Sequence, residues 1–224
     1  MNYNALSLFS SAGVAETYFD KHGIRVKVAA ELLPQRAEIY KHLYPSVKMF
    51  QGDITEKENF DKIIEAAKEE KCDFIIATPP CQGMSTAGLK KKDDPRNRLI
   101  IDVVKAINLI NPKFVIIENV PAILQTKIKV AEEWIYIDAY LRAELGDKYE
   151  FNTNNIVNAM YYGVAQSRER CVYLLTAKTM QLKWEFPKPS KNITTMRDAI
   201  GDLPSLDPNV TDIPSEEFNK LFPD

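Results

Sequence analysis

The chain has 224 residues, 45% of them hydrophobic and 27% charged, enough to bury the core of one α/β domain. Its formal net charge of -2 is unlike the strongly basic balance of many free-standing nucleic-acid binders. Three cysteines without a CxxC pair and two histidines argue against a disulfide framework and a metal site. No apolar run approaches a membrane span, and the opening MNYNALSLFSSAG lacks a basic leader, so a signal peptide is not expected.

In chain order, Ala5–Phe9 reads as a strand, and Val14, Tyr18, Phe19 and His22 mark one face of a helix. A second strand covers Val26–Ala30, and Pro34 opens a helix carrying Ala37, Tyr40 and Leu43. A third strand covers Val47–Phe50, and Phe60, Ile63, Ile64 and Ala67 follow helical spacing. Asp73–Ala77 is an almost wholly apolar strand, as expected where both faces are buried. Leu99, Val103, Ile107 and Ile110 line the next helix, and Phe114–Ile117 forms a fifth strand. Val130, Trp134, Leu141 and Leu145 are spaced as one helix ending near Gly146. Phe151–Ala159 and Cys171–Thr176 read as an antiparallel pair at one sheet edge. From Phe186 onward prolines at 187, 189, 204, 208, 214 and 223 break the pattern, with a short helix over Thr194–Ile200.

This β-α alternation predicts an α/β fold, a doubly wound, mostly parallel sheet with an antiparallel edge. Residues 1–185 are expected to form the main domain and 186–224 a proline-rich extension.

The segment LFSSAGVAE after the first strand is a small-residue turn of the kind that lets a backbone approach a nucleotide closely. Glu31 and Asp53 follow the second and third strands. In a doubly wound sheet both face one crevice, where Glu31 can accept from ribose hydroxyls and Asp53 from an adenine amino group. Either carboxylate can instead cap the helix that follows it. In DFIIATPPCQGMSTAG a buried strand ends in Pro79–Pro80, which restrict the backbone presenting the Cys81 thiol. A polar loop follows, with Lys90, Lys91, Lys92, Arg96 and Arg98 as its cationic groups, able to contact phosphate or simply to be solvated. Glu118 emerges from the apolar fifth strand, where burial raises a carboxyl pKa. Arg168 and Arg170 lie two apart on an extended segment and so on one side.

The order of these elements resembles the cytosine-5 DNA methyltransferase family. LFSSAG is similar to its cofactor loop, TPPCQGMS to its nucleophile motif, ENV to its carboxylate motif and QSRER to its paired arginines. TMRDAIGDLP is similar to the stretch preceding its target-recognition region. The chain departs from the family pattern at Ser11, Val14, Thr78, Met84 and Ala165, none of them a reacting group.

The resemblance implies a Rossmann-like fold that uses S-adenosyl-L-methionine to methylate carbon 5 of a cytosine flipped out of double-stranded DNA. It implies Cys81, Glu118, Arg168 and Arg170 as catalytic residues. Phe9, Ser10, Gly13, Glu31, Asp53, Ile54, Pro80 and Leu99 would hold the cofactor, and Gln82, Ser85, Arg96 and Asn119 would contact DNA. No metal is implied. The recognition region and closing motifs are expected from a complementing subunit or a further C-terminal part. The implied setting is the cytoplasm of a bacterium or phage host, in restriction-modification. A tRNA cytosine-5 methyltransferase and a non-catalytic subunit retaining the fold are the alternatives.

Overall fold

The computed structural model describes residues 2–80 and 94–203. Cys81, Gln82 and Ser85 therefore lie outside the described residues. The first unit comprises residues 1–158 and 168–189. Its strands are β1 (Tyr3–Leu8), β2 (Ile24–Glu31), β3 (Lys48–Gln51), β4 (Phe74–Ala77), β5 (Phe114–Asn119), β6 (Lys127–Val130), β7 (Glu133–Tyr136), β8 (Tyr149–Phe151), β9 (Ile156–Asn158) and β10 (Glu169–Ala177). Its helices are α1 (Pro34–Leu43), α2 (Lys57–Glu69), α3 (Leu99–Ile110) and α4 (Ile137–Leu145).

The main sheet runs β3-β2-β1-β4-β5-β10-β8, with β9 also paired to β10. β1 to β5 are mutually parallel, and β10 returns antiparallel on β5. The fold is thus the expected mixed α/β sheet of mostly parallel strands. Alternation along each strand makes two cores. Leu6, Leu8, Val28, Ile75, Val115 and Ile117 point to the face covered by α2, α3 and α4. Ala5, Phe74, Ile76 and Phe114 point to the other, where Phe19 and Trp184 pack edge-on against Phe74. Every residue of β4 is buried, because helices or aromatic side chains cover both faces.

Three expectations change. The helix over 14–22 is instead two short 3-10 turns, Val14–Glu16 and Asp20–His22, bracketed by Gly13 and Gly23 in left-handed conformations. Val14 and Tyr18, counted on its apolar face, are 79% and 63% exposed. The polar Glu16 turns inward instead, accepting hydrogen bonds from the Ser7 and Tyr40 hydroxyls. The single helix from Val130 to Leu145 is a β6–β7 hairpin followed by the shorter α4. The alternation Lys-Ile-Lys-Val and Trp-Ile-Tyr is a strand pattern, and Ala131 takes a φ of 51° in the two-residue turn between. Phe151–Ala159 splits into β8 and β9. Asn152 interrupts it, its amide donating to Asn154 O and Val172 O while its carbonyl accepts from Leu174 N.

The second unit comprises 159–167 and 190–224, described as far as residue 203. It holds a 3-10 turn, Ala159–Tyr162, and the short helix α5, Met196–Ile200. Thr195 and Asp198 close α5 with a reciprocal capping box. No helix among the described residues is long and apolar enough to cross a membrane.

Glu16 is 4% exposed, and burial pushes its carboxyl above the ordinary 4.5, the two hydroxyl donors opposing. A raised folded-state pKa stabilises fully below the unfolded value and loses that contribution as pH rises through the folded one. The melting temperature of the native chain should therefore fall relative to Glu16→Gln as pH is raised above 4.5. Parallel melting curves across that window would contradict a raised carboxyl.

Candidate active site

The strand order reverses between β1 and β4: the chain moves outward through β2 and β3, then resumes on the other side at β4. At such a switch point the carboxyl ends of the strands diverge and leave a crevice. The turn after β1 shapes it. Phe9 and Ser11 both take left-handed conformations, φ 59° and 51°, and Gly13 follows at 77°. Non-glycine residues seldom adopt this region, and where they do the surrounding structure must hold them. Three bonds do so here. Thr78 Oγ1, from the end of β4, donates to Phe9 O at 2.9 Å. Ser10 N donates to Ala30 O at 3.0 Å. Glu31 Oε2 accepts from Ser11 N at 2.8 Å, while Oε1 accepts from Leu33 N at 2.9 Å. Ser11 and Thr78, both departures from the family pattern, thus sit in this tether.

The crevice is a cavity of about 480 Å³, and Phe9, Glu31, Asp53, Ile54, Pro80 and Leu99 from the predicted cofactor set all line it. Ser10 and Gly13 stand behind it. Gly13 O accepts from Tyr44 Oη at 2.9 Å, and a Cβ on Gly13 would lie 2.3 Å from the Tyr44 ring. Ser10 Oγ is buried with no partner. Asp53 Oδ1 accepts from Thr55 N and Oγ1, both at 2.8 Å, closing a local turn ahead of α2, whose N-cap is Glu56, so Asp53 does not cap that helix.

Sequence reasoning missed Leu32, Leu33, Arg36 and Thr78 in the same wall. The two leucines are 54% and 42% exposed, and two apolar residues directly after a strand-end acid were the available signal. Arg96, expected at DNA, also lines this cavity, its Nε donating to Asp94 Oδ1 at 2.8 Å.

One strand over, Glu118 stands at the end of β5. Val172 of β10 is directly opposite it, so Arg170 is its diagonal neighbour on the same sheet face. Arg170 Nε meets Glu118 Oε1 at 2.8 Å, and its Nη1 donates to Glu169 O at 2.7 Å. Burial pushes the Glu118 carboxyl up, and the charge of Arg168 pulls it back. The close Arg170 contact also favours the ionised form, so any group that takes Arg170 away raises Glu118 further. Arg168 lies just before β10, its backbone N bonded to Asn158 Oδ1 at 3.0 Å.

Asn119 corrects its expected place at DNA. It is 2% exposed, its Nδ2 donates to Pro79 O at 3.0 Å and its Oδ1 accepts from Val120 N at 2.8 Å. A side chain so enclosed and engaged orients the Pro79–Pro80 backbone rather than reading a substrate. Cys72 and Cys171 are buried in the core, where burial pushes each thiol up to about 12. Neither has the exposure or lowered pKa of a nucleophile. No metal-binding cluster occurs among the described residues.

The model of the C-5 cytosine-specific DNA methylase family matches residues 3–222. The chain belongs to that family. It is 39% identical to the type II methyltransferase M1.HgaI of Avibacterium volantium, over 92% of this chain and 58% of that protein. It is 29% identical to the type II methyltransferase M.AquIA of Picosynechococcus, over 93% of this chain and 92% of that protein. A solved structure described as a DNA modification methyltransferase encoded within an E. coli prophage superposes with a TM-score of 0.71. It is 25% identical, over 92% of this chain and 56% of that one. The chain thus spans less than two thirds of the M1.HgaI relative. Members of this family transfer methyl groups and in general depend on S-adenosylmethionine.

The strain at Ser11 yields a prediction. A left-handed non-glycine residue costs roughly 1–2 kcal/mol, and the extra unfolded-state entropy of glycine offsets about half of that. Ser11→Gly should raise stability by about 0.5 kcal/mol, read as a higher urea midpoint at unchanged slope. A lower midpoint would show that the hydroxyl contributes more than the strain costs.

Proposed function

We propose that this chain transfers a methyl group from S-adenosylmethionine to carbon 5 of a cytosine flipped out of DNA, by way of a covalent adduct with Cys81. The observation that carries this reading is the ion pair of Glu118 and Arg170 at the end of β5, one strand from Pro80, the residue before Cys81. The nucleoside cavity supports it. Glu31 and Asp53 bring acceptors suited to ribose hydroxyls and an adenine amino group, and Leu32, Leu33 and Ile54 bring apolar walls. The residues therefore fit the cofactor, which when bound supplies an electrophilic methyl on a sulfonium.

Carbon 5 of cytosine is a poor nucleophile. Addition of the Cys81 thiolate to carbon 6 forms an S–C bond and pushes the ring π electrons toward carbon 5 and nitrogen 3. Glu118 holds a proton at nitrogen 3, and Arg170 donates to the oxygen on carbon 2, stabilising the charge that develops there. An incoming carbonyl oxygen competes for Arg170, loosens its pairing with Glu118 and thereby favours a protonated Glu118. Carbon 5 then takes the methyl group that the bound cofactor would supply, and the cofactor is left as its neutral thioether. Loss of the carbon 5 proton to a base re-forms the carbon 5–carbon 6 double bond and expels the Cys81 thiolate, and nitrogen 3 returns its proton to Glu118. Arg168 braces this corner or a phosphate beside it. Gln82 and Ser85 are read as DNA contacts, and Arg96 as a bridge between cofactor wall and DNA. The target base must leave the stack, at a cost of a few kcal/mol.

Residues 1–185 are read as the catalytic domain and 186–224 as a lead toward a recognition region, carried in the same polypeptide or by a complementing chain. M.AquIA, matched along 92% of its own length, is a relative of comparable extent.

The test is trapping on duplex DNA containing 5-fluorocytosine, with S-adenosylmethionine and with the recognition region supplied. The native chain should form a stable covalent adduct. Cys81→Ala should form none while binding S-adenosylmethionine about as well. Trapping by Cys81→Ala would remove the sulfur from the mechanism, and trapping on tRNA in preference to duplex would redirect the substrate. Arg170→Ala should lower turnover by about 100- to 1000-fold, as loss of one donor to a developing oxyanion does. Near-native turnover in that variant would place the arginine outside the chemistry.

A further inference from the structure

We propose that the outer face of the β6–β7 hairpin docks the phosphate backbone of the DNA strand beside the target base. This inference rests on DNA being the substrate. The hairpin has two unlike faces. Ile128 is 1% exposed and Ile135 packs with it against the core, which fixes the ribbon in place. On the opposite face the register pairs Lys127 with Tyr136 and Lys129 with Trp134. Both rings are open to solvent, Trp134 at 41% and Tyr136 at 48%. Lys127 Nζ lies 4.5 Å from the Tyr136 ring centre. A row of two lysines on β6 beside a row of two exposed aromatic rings on β7 forms a charged, flat surface. Cations on it meet phosphates, and the rings pack against sugars or unstacked bases.

Position selects the ligand. Between the hairpin and the 3-10 turn Pro95–Arg98 lies a cleft of about 370 Å³, lined by Asn97, Arg98, Lys127, Lys129 and Trp134. The same stretch of chain walls the cofactor cavity on its other side, through Arg96 and Leu99. The hairpin leaves β5 just after Glu118 and Asn119, by way of the turn Pro121–Gln125. The cationic face therefore sits at the carboxyl-end rim of the sheet, beside the crevice where the base would enter.

Acidic groups near the face do not neutralise it. Lys129 pairs with Glu132 at 3.0 Å, but Glu132 is 91% exposed at the hairpin turn. Such a solvated pair is worth no more than about 1 kcal/mol and yields to a phosphate. Glu133 stands opposite Val130, on the strand positions of the other face. Asp94, also in the cleft wall, is engaged by Arg96. The chain's net charge of -2 then coexists with one local cationic surface.

The experiment compares the full chain with Lys127→Gln/Lys129→Gln, measuring duplex DNA affinity from about 50 to 200 mM salt. Two lost phosphate contacts should lower the slope of log affinity against log salt by about 2 and weaken binding at least tenfold at the low-salt end. S-adenosylmethionine affinity and melting temperature should stay as in the parent. An unchanged slope and affinity overturn the proposal, as does a parent chain with no measurable duplex binding. A parent-like slope accompanied by a changed oligomeric state would instead assign this face to a protein partner. Failure of the catalytic reading is separable, since it would appear as no 5-fluorocytosine adduct from the parent while the salt effect of the lysines remained.

Discussion

The site depends on a turn held in a conformation it would not keep by itself. After β1 the backbone enters the left-handed region at Phe9 and again at Ser11, and side chains from two neighbouring strand ends hold it there. Thr78 ties it from β4 and Glu31 ties it from β2. Each such bond contributes about 1 kcal/mol net, comparable to the cost of one strained residue, so the turn is balanced rather than rigidly locked. The balance spans the switch point of the sheet, the one place where two parallel strands diverge and leave room for a ligand. Glu16 serves the same turn from behind, joining it to Ser7 in β1 and Tyr40 in α1.

That arrangement alters the meaning of the two departures from the family pattern. Ser11 stands where glycine would avoid strain, yet its N–H is a donor to Glu31 that any residue with an N–H retains. Thr78 brings a hydroxyl that adds a bond between the end of β4 and the turn after β1. One substitution introduces strain and the other supplies restraint at the same turn. A Glu31 already engaged by two backbone amides also has its carboxylate oriented before any ligand arrives, which lowers the ordering cost of binding.

The parallel strands were legible because their apolar runs are continuous and their helices keep period. The acids at strand ends were legible because an open sheet directs such residues into one crevice. What sequence reading lost was local. Between Gly13 and Gly23 the spacing of Val14, Tyr18 and Phe19 suggested a helix, but a buried carboxyl needing two hydroxyl donors took precedence over an apolar stripe. In residues 127–136 a fortuitous four-residue spacing of Val130 and Trp134 hid an alternation that only strand pairing explains. Asn119 was legible as a motif residue but not in its contact, because nothing in the sequence shows that its amide meets Pro79 O.

At two points of the sheet's rim a charge is placed where a neighbour can change its partner. Glu118 is half-buried, and its carboxyl is held between desolvation, which favours the neutral acid, and Arg168 with Arg170, which favour the anion. Had Glu118 been solvated, no approaching group could shift it much, and had it been sealed inside without an arginine, it would stay neutral throughout. Half-burial beside a guanidinium that has a second acceptor in Glu169 O leaves both protonation states within reach. Lys129, paired with a solvated Glu132, is exchangeable in the same sense, though cheaply so, since water already screens it. A stronger pairing at either point would stabilise the empty protein and weaken its response to a ligand, so marginal ion pairs are the arrangement that a rim of this kind requires.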